Sequence, residues 1–394
     1  MDDILGGFKK FPAAKKFPFT MAGLYFHIPW CKQVCYYCDF HFRVSMNDKT
    51  RVLDAIRKEV ALRSHYLHSD RLSTLYFGGG TPSVLTPCEW AALFETIGNH
   101  FVLEPDAEVT AEVNPDDLDH DYLVMLRSLG INRLSIGIQS FSDPVLSWMN
   151  RRHTAKEAEE SVGRAWEAGF RNISIDLIYA IPGMSAALWD AQIERAMQLP
   201  ITHLSAYALS IEPATPFGVF LRKGKISAAP DSLATDHFLH LMERLPAWGF
   251  SWYEIANFSL PGYLSRHNSA YWNQEHYLGI GPSAHSYNGV SRQWNWAVNS
   301  QYAAGVERGE GYFEREVLSV NDHYHDYILT ALRTRRGVDS DWVASRFGEA
   351  YRLHLLREAE PFIKEKMVEE DGSSFHLTPR GMLLADRITR ALFL

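Results

Sequence analysis

Cys31, Cys35 and Cys38 fall within eight residues, spaced C-x3-C-x2-C, and are three of the chain's four cysteines. So few cysteines, so clustered, do not make a disulfide framework. They point to metal or redox chemistry in a reducing compartment. Three thiolates this close can ligate three irons of a cubane and leave the fourth iron open. The amino and carboxylate groups of a methionine moiety can chelate that open iron, and an electron passed into a sulfonium cleaves a C–S bond. The competing reading is zinc, with His27 or His41 as a fourth ligand. Zinc sites usually pair cysteines as C-x2-C and bring a second pair from a distance, and no second pair exists here. Cys88 stands apart at a helix start and reads as a packed residue.

A second set of residues stands out by position. Gly78, Gly79, Gly80 and Thr81 follow a strand-like run without a gap. Glycines lack Cβ, so their backbone can approach a ligand closely and adopt positive φ, although a tight turn explains a glycine run equally well. Its place at a strand end, one unit after the cysteines, distinguishes it. The same placement picks out Glu112 on the third run, Gln139 after the fourth and Asp176 on the fifth. A carboxylate inside an apolar strand is costly to bury unless something pairs with it. Ligand hydroxyls or amines could do so, as could an internal ion pair with Arg133 or Arg151.

The elements that position these residues alternate. Short apolar runs at 23–28, 73–77, 107–113, 133–138, 173–178 and 203–209 read as buried strands. Amphipathic stretches lie between them. Thr86 to Glu89 and Thr154 to Glu157 offer capping boxes, while Gly130 and Gly169 supply helix stops. Repeated βαβ units imply a parallel sheet with right-handed crossovers. Six units rather than eight suggest a partial barrel, whose chemistry belongs at the strands' C-terminal ends. The βα rhythm fades after 225, and the Trp- and Tyr-rich stretch 250–300 is expected to pack against the barrel. From 315 the pattern turns helical, with a strand and turn at 375–381 before a last helix. The expected class is α/β: a partial (β/α)6 barrel with a small C-terminal α+β domain of winged-helix type. Its divisions are a tail at 1–20, the barrel at 21–225, an extension at 226–314 and the C-terminal domain at 315–394.

A net charge of −8 without Lys/Arg blocks argues against a nucleic-acid partner. No apolar run is long enough for a transmembrane helix. The first 20 residues carry Lys9, Lys10, Lys15 and Lys16 but no apolar core of a signal peptide, so a cytoplasmic location is expected.

The stretch from Tyr25 to Phe40, Tyr-Phe-His-Ile-Pro-Trp-Cys-Lys-Gln-Val-Cys-Tyr-Tyr-Cys-Asp-Phe, resembles the radical-SAM proteins related to oxygen-independent coproporphyrinogen III dehydrogenase. The resemblance runs from about Leu24 to the C-terminal helix. It implies a [4Fe–4S] cluster on Cys31, Cys35 and Cys38, S-adenosylmethionine (SAM) beside it and an electron donor for the cluster. Tyr25, Gly79, Gly80, Thr81, Glu112, Gln139, Arg151 and Asp176 match the SAM-contacting positions of that family.

Within it, two functions compete: the dehydrogenase itself, or a HemW-type chaperone that binds heme and passes it to acceptor proteins. The dehydrogenase pattern continues past the third cysteine with Gly and a further Cys, whereas Asp39 and Phe40 follow here. It also carries a longer N-terminal segment. His267-Asn-Ser-Ala-Tyr-Trp272 matches the His-Asn-x-x-Tyr-Trp signature of HemW-type proteins. The resemblance therefore implies a heme site on His267, Asn268, Tyr271 and Trp272. Imidazole is a usual axial ligand of heme iron, and Tyr and Trp offer flat surfaces to a macrocycle. Taken by itself, a histidine beside aromatics is more often a hydrogen-bonded core residue. His285, His323 and His325 are further candidates of the same kind. A radical-SAM enzyme acting on another tetrapyrrole is the third reading.

Overall fold

A computed structural model describes residues 22–394, so the expected tail at 1–20 lies outside the described residues. Six strands fall where the apolar runs predict them: β1 Ala22–Ile28, β2 Arg71–Gly79, β3 Val102–Val113, β4 Arg133–Gln139, β5 Asn172–Tyr179 and β6 His203–Ala208. They pair in parallel in chain order, with register running from Gly23 opposite Thr74 to Tyr179 opposite Ala208. Both predicted capping boxes form, on Thr86 with Glu89 and on Thr154 with Glu157. Gly130 and Gly169 take positive φ after their helices, where a side chain would be strained.

The extension is part of the same sheet. β7 Ser251–Glu254 and β8 Asn257–Ser259 add antiparallel strands beyond β6. β9 His276–Ile280 pairs with β1 in parallel, and β10 His285–Tyr287, β11 Ser291–Asn295 and β12 Phe313–Val317 continue outward antiparallel. The twelve strands run β12-β11-β10-β9-β1-β2-β3-β4-β5-β6-β8-β7. The expected boundary at 315 thus falls within β12, an edge strand of this sheet.

Beyond it come the helix Val320–Leu332, β13 Val338–Asp339, the helices Ser340–Phe347 and Glu349–Lys364, then β14 Val368–Asp371 and β15 Ser374–Leu377. The three strands form a separate antiparallel sheet ordered β13-β15-β14. Helix, strand, two helices and a hairpin is the winged-helix order.

Strand alternation decides what the barrel presents to each side. Leu24, Phe26, Ile28, Val109, Ala111 and Val113 are buried in the apolar core. Their neighbours in sequence, Tyr25, His27, Glu108, Thr110 and Glu112, face the other way and give the barrel a polar interior.

Candidate functional site

A cavity of about 410 Å³ opens at the C-terminal ends of β1 to β6. It is lined by Cys31, Cys35, Cys38, Gly79, Gly80, Thr81, Glu112, Gln139, Arg151 and Asp176, so the structure brings together all the predicted cluster and SAM positions except Tyr25. Tyr25 lies beneath, its hydroxyl 3.1 Å from His27 Nδ1.

The cysteines sit on a loop pinned by backbone bonds, Cys31 N–H to the Arg43 carbonyl (3.0 Å) and Tyr36 N–H to that of Met149 (3.1 Å). Thr81 donates its hydroxyl to Cys31 Sγ and Arg151 donates Nη1 to Cys35 Sγ, each at 3.3 Å. Asn114 joins the two donors: its Nδ2 donates to Thr81 Oγ1 (3.1 Å) and its Oδ1 accepts from Arg151 Nη2 (2.7 Å). Burial pushes the Cys31 thiol up to about 12 and the Cys38 thiol up to about 11. Only a strongly cationic centre makes such thiols bind as thiolates. An all-sulfur donor set with O–H and N–H donors on two of its sulfurs fits an iron–sulfur cluster.

The two histidines weighed as a fourth zinc ligand are both bonded elsewhere. Among the described residues no three of His, Cys, Asp and Glu converge on a single ion. His27 accepts from Tyr25 at Nδ1 and donates Nε2–H to the His41 carbonyl (2.8 Å), while His41 Nε2 bonds Asn299 Oδ1 (2.9 Å). Cys88 is exposed, which corrects its expected place in the packing.

On the far wall, Glu112 accepts from the Tyr76 hydroxyl (2.7 Å) and from Gly79 N–H (3.2 Å). Burial pushes its carboxyl up to about 7, opposed chiefly by the Tyr76 bond. Burial likewise raises Asp176 to about 6, opposed by the Ser205 hydroxyl. Neither is ion-paired with Arg133 or Arg151 among the described residues. Arg151 is occupied by Cys35, Asn114 and the Gly137 carbonyl (2.6 Å). The two carboxylates are therefore open to an incoming cation or hydroxyl. Gln139 ends β4 at φ 69, a left-handed backbone uncommon for a side-chain-bearing residue, and lines the cavity.

The signature helix Arg266–Trp272 does not reach this cavity. His267 is 1% exposed, with Nδ1 2.8 Å from Thr74 Oγ1 and Nε2 2.8 Å from the Tyr271 hydroxyl. Both ring nitrogens are engaged, so His267 could ligate iron only by giving up one of these bonds. Asn268 N–H caps onto Ser265 Oγ, and the Trp272 ring lies 5.4 Å from the Arg333 guanidinium. His285 is exposed beside Trp294, and His325 Nε2 is 3.0 Å from the Leu394 carbonyl. Sequence reasoning missed Asn114 and Tyr76. Both follow from alternation: Asn114 is two residues past Glu112, and Tyr76 is two before Gly78.

A cluster loop after the first strand, a glycine loop after the second and carboxylates on the third and fifth define a radical-SAM domain. The Radical SAM superfamily model matches residues 25–192, and the HemN C-terminal domain model matches residues 318–384. The solved coproporphyrinogen III oxidase HemN of Escherichia coli, a radical SAM enzyme, shares the fold at a TM-score of 0.82. It covers 96% of this chain and 91% of its own at 24% identity. The heme chaperone HemW of Mycobacterium tuberculosis is 34% identical over 388 residues, 97% of each chain. That of Bacillus subtilis is 31% identical over 93% of this chain and 98% of its own. The chain belongs to the HemW family.

Proposed function

We propose that this protein binds heme and hands it to acceptor proteins in the cytoplasm, with a [4Fe–4S] cluster on Cys31, Cys35 and Cys38 and SAM in the adjoining cavity. The reading is carried by the end-to-end match to proteins named heme chaperones, 97% of both chains for one of them. When bound, the cluster supplies an open iron and, once reduced by an electron donor, an electron. The chain's own residues do the holding. Glu112 and Asp176 meet the ligand's ammonium and hydroxyls, Gly79 and Gly80 let the backbone approach it, and Thr81 and Arg151 steady the sulfurs.

Because a cation binds the carboxylate form of Glu112, SAM affinity should fall as pH drops through about 7. Glu112→Gln should remove the limb near 7, leaving only that of Asp176 near 6, and weaken SAM roughly 100-fold at pH 8. Anaerobic calorimetry across pH 6 to 8.5, taken as a rough range around neutrality, checks both. A wild-type curve flat over this interval would remove Glu112 from the site.

We assign the heme to the cavity rim, where Phe40 is 73% exposed and Tyr207 is 44% exposed beside the cluster loop. In an anaerobic hemin titration followed by its Soret band, wild type and His267→Ala should bind alike. Phe40→Ala should bind about tenfold more weakly through lost ring contact. Negligible binding by wild type would sink the carrier. Strong loss in His267→Ala would return the ligand to the signature helix.

A second reading, a tetrapyrrole-modifying enzyme such as the coproporphyrinogen III dehydrogenase, is favoured by one observation. The cavity retains Glu112, Gln139, Arg151 and Asp176 together. Turnover of coproporphyrinogen III with SAM under anaerobic reduction would establish it.

A further inference from the structure

We infer that His267 is a positioning residue of the SAM cavity: its ring, packed under Tyr76, keeps the Tyr76 hydroxyl on Glu112. The inference rests on the reading that this cavity takes SAM.

The helix Arg266–Trp272 lies at the N-terminal side of the barrel, where Glu108 accepts from the backbone N–H groups of Arg266 and His267, each at 3.0 Å. From there the imidazole points into the barrel interior. It stacks on Tyr76 at 5.0 Å between ring centroids with 25° between planes, and on Tyr25 at 6.3 Å and 27°. Space for it is left by Gly23, where an added Cβ would fall 3.0 Å from Thr74 Oγ1 and 3.3 Å from His267 Cε1. Thr74, its Nδ1 partner, sits four residues before Gly78 on β2, a backbone span of about 13 Å. One stack bridges that gap, because Tyr76 reaches from the His267 ring to Glu112 Oε1 at 2.7 Å.

The contact works without charge. Burial, with Arg133 nearby, pushes the His267 imidazole down to about 3, so it is neutral at any pH the protein meets. Its two hydroxyl partners fix the ring plane, and that plane fixes the phenol. The Tyr76 bond in turn favours the ionised form of Glu112 against burial. The other groups facing Glu112 are Tyr25 from β1, Arg133 from β4, Asp176 from β5, Tyr207 from β6 and Tyr271 from the signature helix. Of these, Tyr271 bonds the His267 ring and Tyr25 stacks on it, so both lose a contact in a His267 variant, and the double variant with Tyr76→Phe isolates the part carried by Tyr76.

The test measures SAM affinity against pH for wild type, His267→Ala, Tyr76→Phe and the double variant, with cluster iron and thermal midpoint followed in parallel. Tyr76→Phe should move the acid limb up by about one pH unit, and His267→Ala by about half a unit, weakening SAM about twofold at pH 7. The double variant should match Tyr76→Phe, since both changes act through one bond. Should the alanine variant fail to fold, His267→Gln decides. It keeps polar partners for Thr74 and Tyr271 but has no aromatic face, and it should show the same upward shift. An unmoved acid limb in the folded variants, or shifts that add in the double variant, would overturn the inference. A wild type that bound no SAM would overturn the cavity reading and the inference with it.

Discussion

Cys35→Ser should leave the anaerobically reconstituted protein without its broad absorbance at about 400 nm, and with iron and sulfide lost together. Each cysteine supplies one of three sulfurs on a single loop, and the described residues offer no further cysteine in the cavity to replace it. A serine hydroxyl is a hard, weakly acidic donor, and the Arg151 Nη1 contact at 3.3 Å would then meet an oxygen instead of a thiolate. The apoprotein should survive the change. The loop is pinned through backbone groups of Cys31 and Tyr36 rather than through the Cys35 side chain, so stability should stay within about 0.5 kcal/mol of wild type. Cys88→Ser, on an exposed helix start, should keep the full cluster and serves as the control. Full iron and sulfide retained in Cys35→Ser would remove this loop from cluster binding.

The elements that carry this chemistry were legible because their signals are local. Capping boxes on Thr86 and Thr154, glycine stops at 130 and 169 and six apolar runs each act within a few residues. The pairing of β9 with β1 was not legible. It joins Leu278 to Leu24 across more than half the chain, and a short run containing Gly279 has too little pattern to announce it. The interior polar residues were half legible. Alternation on β3 puts Glu108, Thr110, Glu112 and Asn114 on one side, yet only Glu112 was singled out, because a buried carboxylate is conspicuous and an asparagine is not. The surroundings of His267 were not legible for a related reason. Its neighbours Tyr271 and Trp272 suggest an aromatic site, but a seven-residue helix does not say which of its residues enters the barrel. Cys88 shows the same gap: residue type suggests burial, and the helix face it occupies puts it in solvent.

Gly80→Ala should disable the cavity at a point where the sequence shows only one glycine among three. An added Cβ would fall 2.6 Å from the Trp30 carbonyl oxygen and 2.8 Å from that of Ile28. Both are backbone atoms, so no side chain can turn aside. They are also the atoms that hold the two loops together, since Gly80 N–H donates to Ile28 O (2.9 Å) and Thr81 N–H to Trp30 O (2.7 Å). The methyl group must therefore push the glycine loop away from the end of β1, and Thr81 away from Cys31 Sγ. About 3 kcal/mol of stability should be lost, as for overpacking against atoms that cannot relax. SAM affinity should fall roughly 100-fold or more, since both loops border the cavity. Gly163→Ala gives the contrast: in the helix Ala155–Glu167 an added Cβ meets nothing within 4 Å, so this change should stabilise by about 0.5 to 1 kcal/mol. Thermal unfolding of the two variants with SAM calorimetry reads all of this. A Gly80→Ala protein as stable and as tight for SAM as wild type would mean that the β1 and β2 loops are not held in contact at this residue.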